Sequence, residues 1–127
     1  MVKKLSADEL RRVAGVSAKQ YKKIPWHSTE LIIKQLITPK EYIEMIRNIL
    51  NDCQTPDGDA AFEMVDFAIR VNTIAAYAFV ELPEDPNDLY YVVYASNLYD
   101  TVCKYANQGQ IESIRKTIAM YAGNVGE

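Results

Sequence analysis

Residues 60–80, AAFEMVDFAIRVNTIAAYAFV, have Glu63, Asp66, Arg70 and Asn72 as their only strongly polar side chains. Glu63, Asp66, Arg70 and Thr73 recur at i, i+3, i+7 and i+10, which on a helix is one narrow stripe, and Asp66 and Arg70 are i,i+4 neighbours expected to form a structural ion pair. The rest of the surface is apolar. A helix that is hydrophobic almost all round must be wrapped by other elements, so the segment reads as a central helix with Ala68, Ile69, Ala75 and Ala76 nearly inaccessible. Three ionisable residues interrupt it, which argues against a membrane span. The fold class that follows is mainly α: a small helical bundle around this apolar helix, with a short N-terminal β-strand or hairpin and a basic helical arm.

Downstream, Glu81-Leu82-Pro83-Glu84-Asp85-Pro86 closes the central helix, and Asp85 with Pro86 opens another. This next helix is expected to run to about Ala106, with Tyr91, Ala95, Leu98, Val102 and Tyr105 as its apolar stripe. Tyr90, Tyr94 and Tyr99 flank that stripe. Five tyrosines in one helix exceed what a small core hides with every hydroxyl bonded, and tyrosine is favoured at protein interfaces. After a break at Asn107-Gln108-Gly109, Ile111, Ile114, Ile118 and Tyr121 predict a short final helix released by Gly123 and Gly126.

Upstream, Thr38-Pro39-Lys40-Glu41 combines a Thr cap, Pro at the first helical position and Glu at the third. Tyr42, Ile46, Ile49, Leu50 and Cys53 then make one apolar stripe. The acidic stretch Asn51 to Asp59 invites a calcium-loop reading. Aligning Gly58 with the obligatory turn glycine puts Cys53, Thr55 and Met64 at ligand positions, so Pro56-Asp57-Gly58 is a turn and Asp59 a helix cap. Before it, Thr29 to Ile37 is rich in β-branched residues and reads as a strand of about seven residues. Its local partner is Lys22 to Trp26, across a His27-Ser28 turn that is a poor substitute for Asn-Gly.

Length and charge divide the chain. At 127 residues it is one domain with room for a core, read as a basic arm over 1–25 and a helical domain over 26–127. The arm carries seven Lys/Arg against Asp8 and Glu9, or +5; the other 102 residues carry seven basic and fifteen acidic groups, or −8, within a total of −3. Such an arm binds nucleic acid or an acidic protein surface, or is a solvated tail. Lys3, Lys4, Arg11 and Arg12, then Lys19, Lys22 and Lys23 with Trp26, are its candidate interface residues, beside Tyr90, Tyr94 and Tyr99 of the tyrosine helix. Ser6 with Glu9 and Ser17 with Gln20 have capping-box spacing on either side of Ala14-Gly15, the outline of a helix-turn-helix over residues 6–24. Arg11 sits where such motifs want a small buried residue.

Catalytic and metal constellations are not legible. His27 is the only histidine and neighbours Ser28 in an extended stretch, where adjacent side chains point to opposite faces. Cys53 and Cys103 have no CxxC or Cys/His spacing, which fits a reduced intracellular setting, and no glycine-rich phosphate loop occurs. No signal-peptide or lipidation pattern is read at the N-terminus. The expectation is a non-enzymatic protein without cofactor or metal, located in the cytoplasm and not in a membrane.

Several spaced features together resemble small proteins encoded among the virion-structure genes of tailed bacteriophages and prophages. They are Trp26 before Leu31-Ile32-Ile33-Lys34, Val65-Asp66-Phe67-Ala68-Ile69-Arg70, Leu82-Pro83, Asp88-Leu89-Tyr90, and Asn107-x-x-Gln110 before Ile114 and Ile118; the basic arm lies outside the resemblance. It implies a head-tail connector (neck) or tail-assembly component forming a ring of identical subunits, with portal or tail proteins as partners, found in the host cytoplasm and then in the virion. The alternatives are a phage-encoded inhibitor or regulator acting by protein binding, and a DNA-binding protein using residues 6–24, which would give nucleic-acid contact through the arm.

Overall fold

The computed structural model describes residues 4–14, 21–53 and 62–125. In chain order they form helix α1 (Ala7–Ala14), strands β1 (Tyr21–Trp26) and β2 (Thr29–Lys34), and helices α2 (Pro39–Asp52), α3 (Phe62–Tyr77), α4 (Pro86–Ala95), α5 (Leu98–Tyr105) and α6 (Gln108–Val125). The fold is mainly helical, with a two-stranded antiparallel hairpin near the N-terminus.

The hairpin closes from Tyr21 opposite Lys34 to Trp26 opposite Thr29. His27 (φ 46°) and Ser28 (φ 62°) both take left-handed backbone, the I′-type turn whose twist matches paired strands. Each non-glycine residue held there costs about 1–2 kcal/mol, offset by what the strands bury: Ile24, Leu31 and Ile33 enter the core. In this register Trp26, Ile24 and Lys22 bond inward to β2, so the backbone of Pro25 faces away from it. A missing N–H is harmless there and blunts the free edge. On the other edge the Ile32 carbonyl accepts from Phe79 N–H at 3.0 Å, and Ala78 bridges Ile33. The central helix therefore ends at Tyr77 and not at Val80, because the chain leaves it to extend the sheet. β1 also takes residues 21–25 out of the basic arm and into the folded body, earlier than the boundary at Pro25. Strand β2 stops at Lys34, three residues short of the expected end.

Helix α2 starts as its sequence dictates. Thr38 accepts from Glu41 N–H at 3.2 Å, Glu41 accepts from Thr38 N–H at 3.0 Å, and both Glu41 oxygens take Lys34 Nζ at 2.8 Å. Met45, Ile46, Ile49 and Cys53 are buried, with Tyr42 and Leu50 packed beside them. Helix α3 packs against α2, α4 and α5, and Ala68, Ile69, Thr73, Ile74 and Tyr77 are buried along it. Two expectations fail here. Ala75 is exposed and Ala76 only half-buried, because these small side chains leave a shallow cleft of about 220 Å³ along the α2–α3 seam, bordered by Glu41, Glu44, Met45, Asn48 and Asn72.

The single helix expected from Asp85 to Ala106 is two. α4 starts on Asp85, whose side chain accepts from the N–H groups of Asn87 and Asp88, and it ends at Ala95. Ser96 turns its hydroxyl onto the Val92 carbonyl. Asn97 sends its side chain to the hairpin, where Oδ1 accepts from Trp26 Nε1 at 2.7 Å and lies 3.3 Å from His27 Nε2. Ser and Asn readily trade helix for such bonds. The break moves the apolar stripe: Tyr91 and Ala95 are exposed, while Val93, Leu98, Tyr99 and Val102 are buried. α6 then runs through Gly123 to Val125, longer than the short helix expected.

Asn107 and Gln110 hold the corner where β2, α2, α3 and α6 meet. Asn107 N–H donates to Gln35 C=O at 2.7 Å, and its Oδ1 accepts from Gln110 N–H at 3.0 Å. The Gln110 amide bonds both backbone groups of Ile37, accepting at 3.1 Å and donating at 3.0 Å, and Oε1 also accepts from Tyr77 Oη at 2.7 Å. The side chain thus stands in for a neighbouring strand.

Candidate interaction surface

Asp66 lies on the α3 stripe four residues before Arg70, and their pairing is direct: Arg70 Nε donates to Oδ2 at 2.7 Å. The helix packing adds two more donors. α4 brings Tyr94 Oη to Oδ2 at 2.8 Å, and α6 brings an Arg115 guanidinium nitrogen to Oδ1 at 3.1 Å. The same Arg115 group donates to Tyr99 Oη at 3.1 Å. The Arg70 guanidinium lies over the rings of Tyr94 and Tyr99, 5.0 and 4.6 Å from their centroids, a cation–π geometry. Asp66 is therefore a node tying α3, α4 and α6, with α5 joined through Tyr99.

The protonation states follow. Partial burial raises the Asp66 carboxyl, but hydrogen bonds from Tyr94, Arg70 and Arg115 outweigh it and hold the group below its ordinary value. Burial, and then the bond to the Asp66 carboxylate, push Tyr94 up to about 12. Burial also raises the Cys103 thiol, although a hydrogen bond with Tyr99 and the charge of Arg115 pull the other way. The lowered Asp66 carboxyl and the raised Tyr94 hydroxyl and Cys103 thiol keep their resting charge at neutral pH. That suits a structural node.

Outside this node is an aromatic surface. Tyr90 stands 4.9 Å from Tyr94 and 6.2 Å from Phe67, and Tyr91 meets Tyr90 edge-on at 6.1 Å. Tyr90, Tyr91 and Tyr94 are 55%, 64% and 38% exposed. Tyr99, placed by its spacing among the interface residues, is only 7% exposed: the break at Ser96-Asn97 turns it inward onto Arg70 and Arg115. Tyr91, placed in the core stripe, is the most exposed of the set for the same reason.

The other predicted interface residues lie elsewhere. Lys4, Arg11 and Arg12 are exposed on or beside α1, which starts on a reciprocal Ser6–Glu9 capping box and pairs Arg11 with Asp8. Lys3 and Lys19 lie outside the described residues, as do Pro56, Asp57, Gly58 and Asp59 of the expected turn and cap. Lys22 and Lys23 belong to β1, and Lys22 Nζ sits 5.6 Å from the Tyr105 ring centroid. Trp26 is half-buried, and with Ile24 and Pro25 it walls a groove of about 320 Å³ against Asn97, Asp100, Thr101, Lys104 and Tyr105 of the α5 region. For a helix-turn-helix over residues 6–24, Tyr21 to Ile24 are strand and cannot belong to a recognition helix; residues 15–20 lie outside the described set.

Among the described residues no group of three or more His, Cys, Asp or Glu side chains is placed to hold a metal ion, and Cys53 and Cys103 are free thiols. No described helix is long and apolar enough to cross a membrane. Comparison with family models, characterised proteins and solved structures finds no match.

Proposed function

We propose that the protein is a non-enzymatic structural or assembly component of a tailed-phage particle, of head-tail connector type, which forms a ring of identical subunits and docks on portal or tail proteins. The observation that carries this reading is the exposed aromatic face of α4, where Tyr90 and Tyr91 project from a helix anchored at Tyr94. Exposed aromatic clusters of this kind are characteristic of protein interfaces. The resemblance to phage virion proteins supplies the biological setting, the host cytoplasm and then the virion.

The test is mass in solution. Analytical ultracentrifugation of the full chain should give a discrete cyclic oligomer, and Tyr90→Ala with Tyr91→Ala should lower the mass while the far-ultraviolet spectrum stays helical. A chain that stays monomeric at every concentration, alone and with portal or tail proteins, would overturn the reading in favour of an isolated inhibitor. DNA reading by residues 6–24 is disfavoured by the strand at Tyr21–Trp26.

A further inference from the structure

We propose that the aromatic face of α4 is the seat of the N-terminal helical arm of a second copy of the chain. This rests on the self-assembly reading above and names the contact that would build it. Charge segregation in the sequence supplies the first argument. From Val71 to Cys103 there is no Lys or Arg and there are five acidic residues. Four of them, Glu81, Glu84, Asp85 and Asp88, stand at the entry to α4 and are exposed; among the described residues none takes part in a salt bridge. Residues 1–20, by contrast, carry five Lys/Arg against Asp8 and Glu9, or +3.

The second argument is shape and chemistry. Asp88 and Tyr91 are i,i+3 neighbours on the outward side of α4, so an acidic group stands beside an exposed ring. Tyr90 and Tyr91 meet at 80° and offer ring faces in two directions. The protein already lays a guanidinium on the adjoining Tyr94. On the arm, Lys4, Arg11 and Arg12 are exposed, and so are Leu5 and Leu10, at 56% and 53%. An amphipathic helix with Leu10 exposed on it, Leu5 exposed just ahead of it and cations beside both matches a tyrosine surface bordered by carboxylates. Within one copy no salt bridge joins the arm to the α4 entry among the described residues, and residues 4–12 are exposed apart from the partly covered Glu9. Each copy therefore carries one donor arm and one acceptor face. That is a heterologous, head-to-tail contact, the kind that closes into a ring when the rotation allows.

Charge reversal tests the pairing. One variant carries Arg11→Glu and Arg12→Glu, the other Glu84→Lys and Asp88→Lys; all four side chains are exposed, so helical content should be unchanged. By sedimentation at low and high salt, each variant alone should self-associate about tenfold more weakly than wild type, and the wild-type association should weaken with salt. An equimolar mixture should recover it, because each arm then meets a face of opposite charge. If wild type assembles and both variants match it, the arm–face contact is wrong while self-assembly stands. If both variants weaken but the mixture does not recover, the two surfaces are used with other partners and the pairing is wrong. A wild-type chain that is monomeric throughout removes both this contact and the assembly reading.

Discussion

Replacing Gln110 by Ala removes one half-buried side chain and leaves three groups without their partners: the Ile37 N–H and C=O and the Tyr77 hydroxyl. Ile37 is 2% exposed and Tyr77 1%, so water replaces the lost bonds poorly. An unsatisfied buried group costs about 1–3 kcal/mol. Some relaxation follows the truncation, and a loss of about 3–5 kcal/mol is expected, a large share of a total stability of about 5–15 kcal/mol. Urea titration followed by circular dichroism measures it. Tyr77→Phe is the control: it deletes one donor and leaves Gln110 with Ile37, so it should cost only about 1 kcal/mol. In a double-mutant cycle the two substitutions should be non-additive by about 1 kcal/mol, because they share the Oε1 bond. A Gln110→Ala protein within about 0.5 kcal/mol of wild type, with the cycle additive, would refute the claim that this amide holds the corner.

Asp66→Ala should cost about 1–2 kcal/mol, discounted for its partial exposure, and its coupling to Arg70 should be about 0.5–1 kcal/mol by double-mutant cycle; no coupling would mean the i,i+4 spacing is incidental. Ala68→Asp should prevent folding, since Ala68 is 4% exposed and an unpaired buried charge costs several kcal/mol, whereas Ala75→Asp at an exposed site should leave the melting temperature nearly unchanged. The Asp66 and Glu41 carboxyls are held below their ordinary values in the fold, the first against burial by its three donors and the second chiefly by Lys34 and the Thr38 backbone. They therefore stabilise the protein above the unfolded carboxyl pKa of about 4 and lose that contribution as pH falls through their folded values, so the acid limb of a stability profile should flatten in Asp66→Asn. Tyr94, raised to about 12, acts in the opposite sense: its contribution is full below about pH 10 and is lost as pH rises towards 12, so Tyr94→Phe should be the less sensitive protein in that window.

Features fixed by neighbours in sequence were legible. The Thr38 capping box, the Asp85-Pro86 start and the Asp66–Arg70 pair each involve residues no more than four apart, where spacing alone determines geometry. The hairpin was legible from its β-branched run, although its turn has to hold His27 and Ser28 in backbone that glycine or asparagine would supply more cheaply. What escaped is set by distant contacts. The α4–α5 break depends on Asn97 meeting Trp26, 71 positions earlier, and without that partner Ser-Asn reads as tolerable helix. From the missed break came the inverted assignments of Tyr91 and Tyr99. Arg115, the third donor to Asp66, comes from 49 residues downstream, and its spacing carries no trace of the node. Ala75 and Ala76 misled because an apolar small side chain reads as core whether a neighbour covers it or a cleft runs past it.

The break between α4 and α5 has a consequence for binding as well as for the core. It assigns the tyrosines opposite tasks: Tyr99 turns in to sit against Arg70 and Arg115, while Tyr90 and Tyr91 are left facing water. Tyr94 joins the two sets, since its ring stacks with Phe67 at 6.0 Å and its hydroxyl is held by Asp66. A ring fixed at both face and tip has little rotamer freedom left to lose when a partner arrives. Tyr90, packed 4.9 Å from it, is restrained in turn. The ion-pair node thus serves the exposed surface indirectly, as the footing that holds Tyr94 and, through it, keeps Tyr90 presented to solvent.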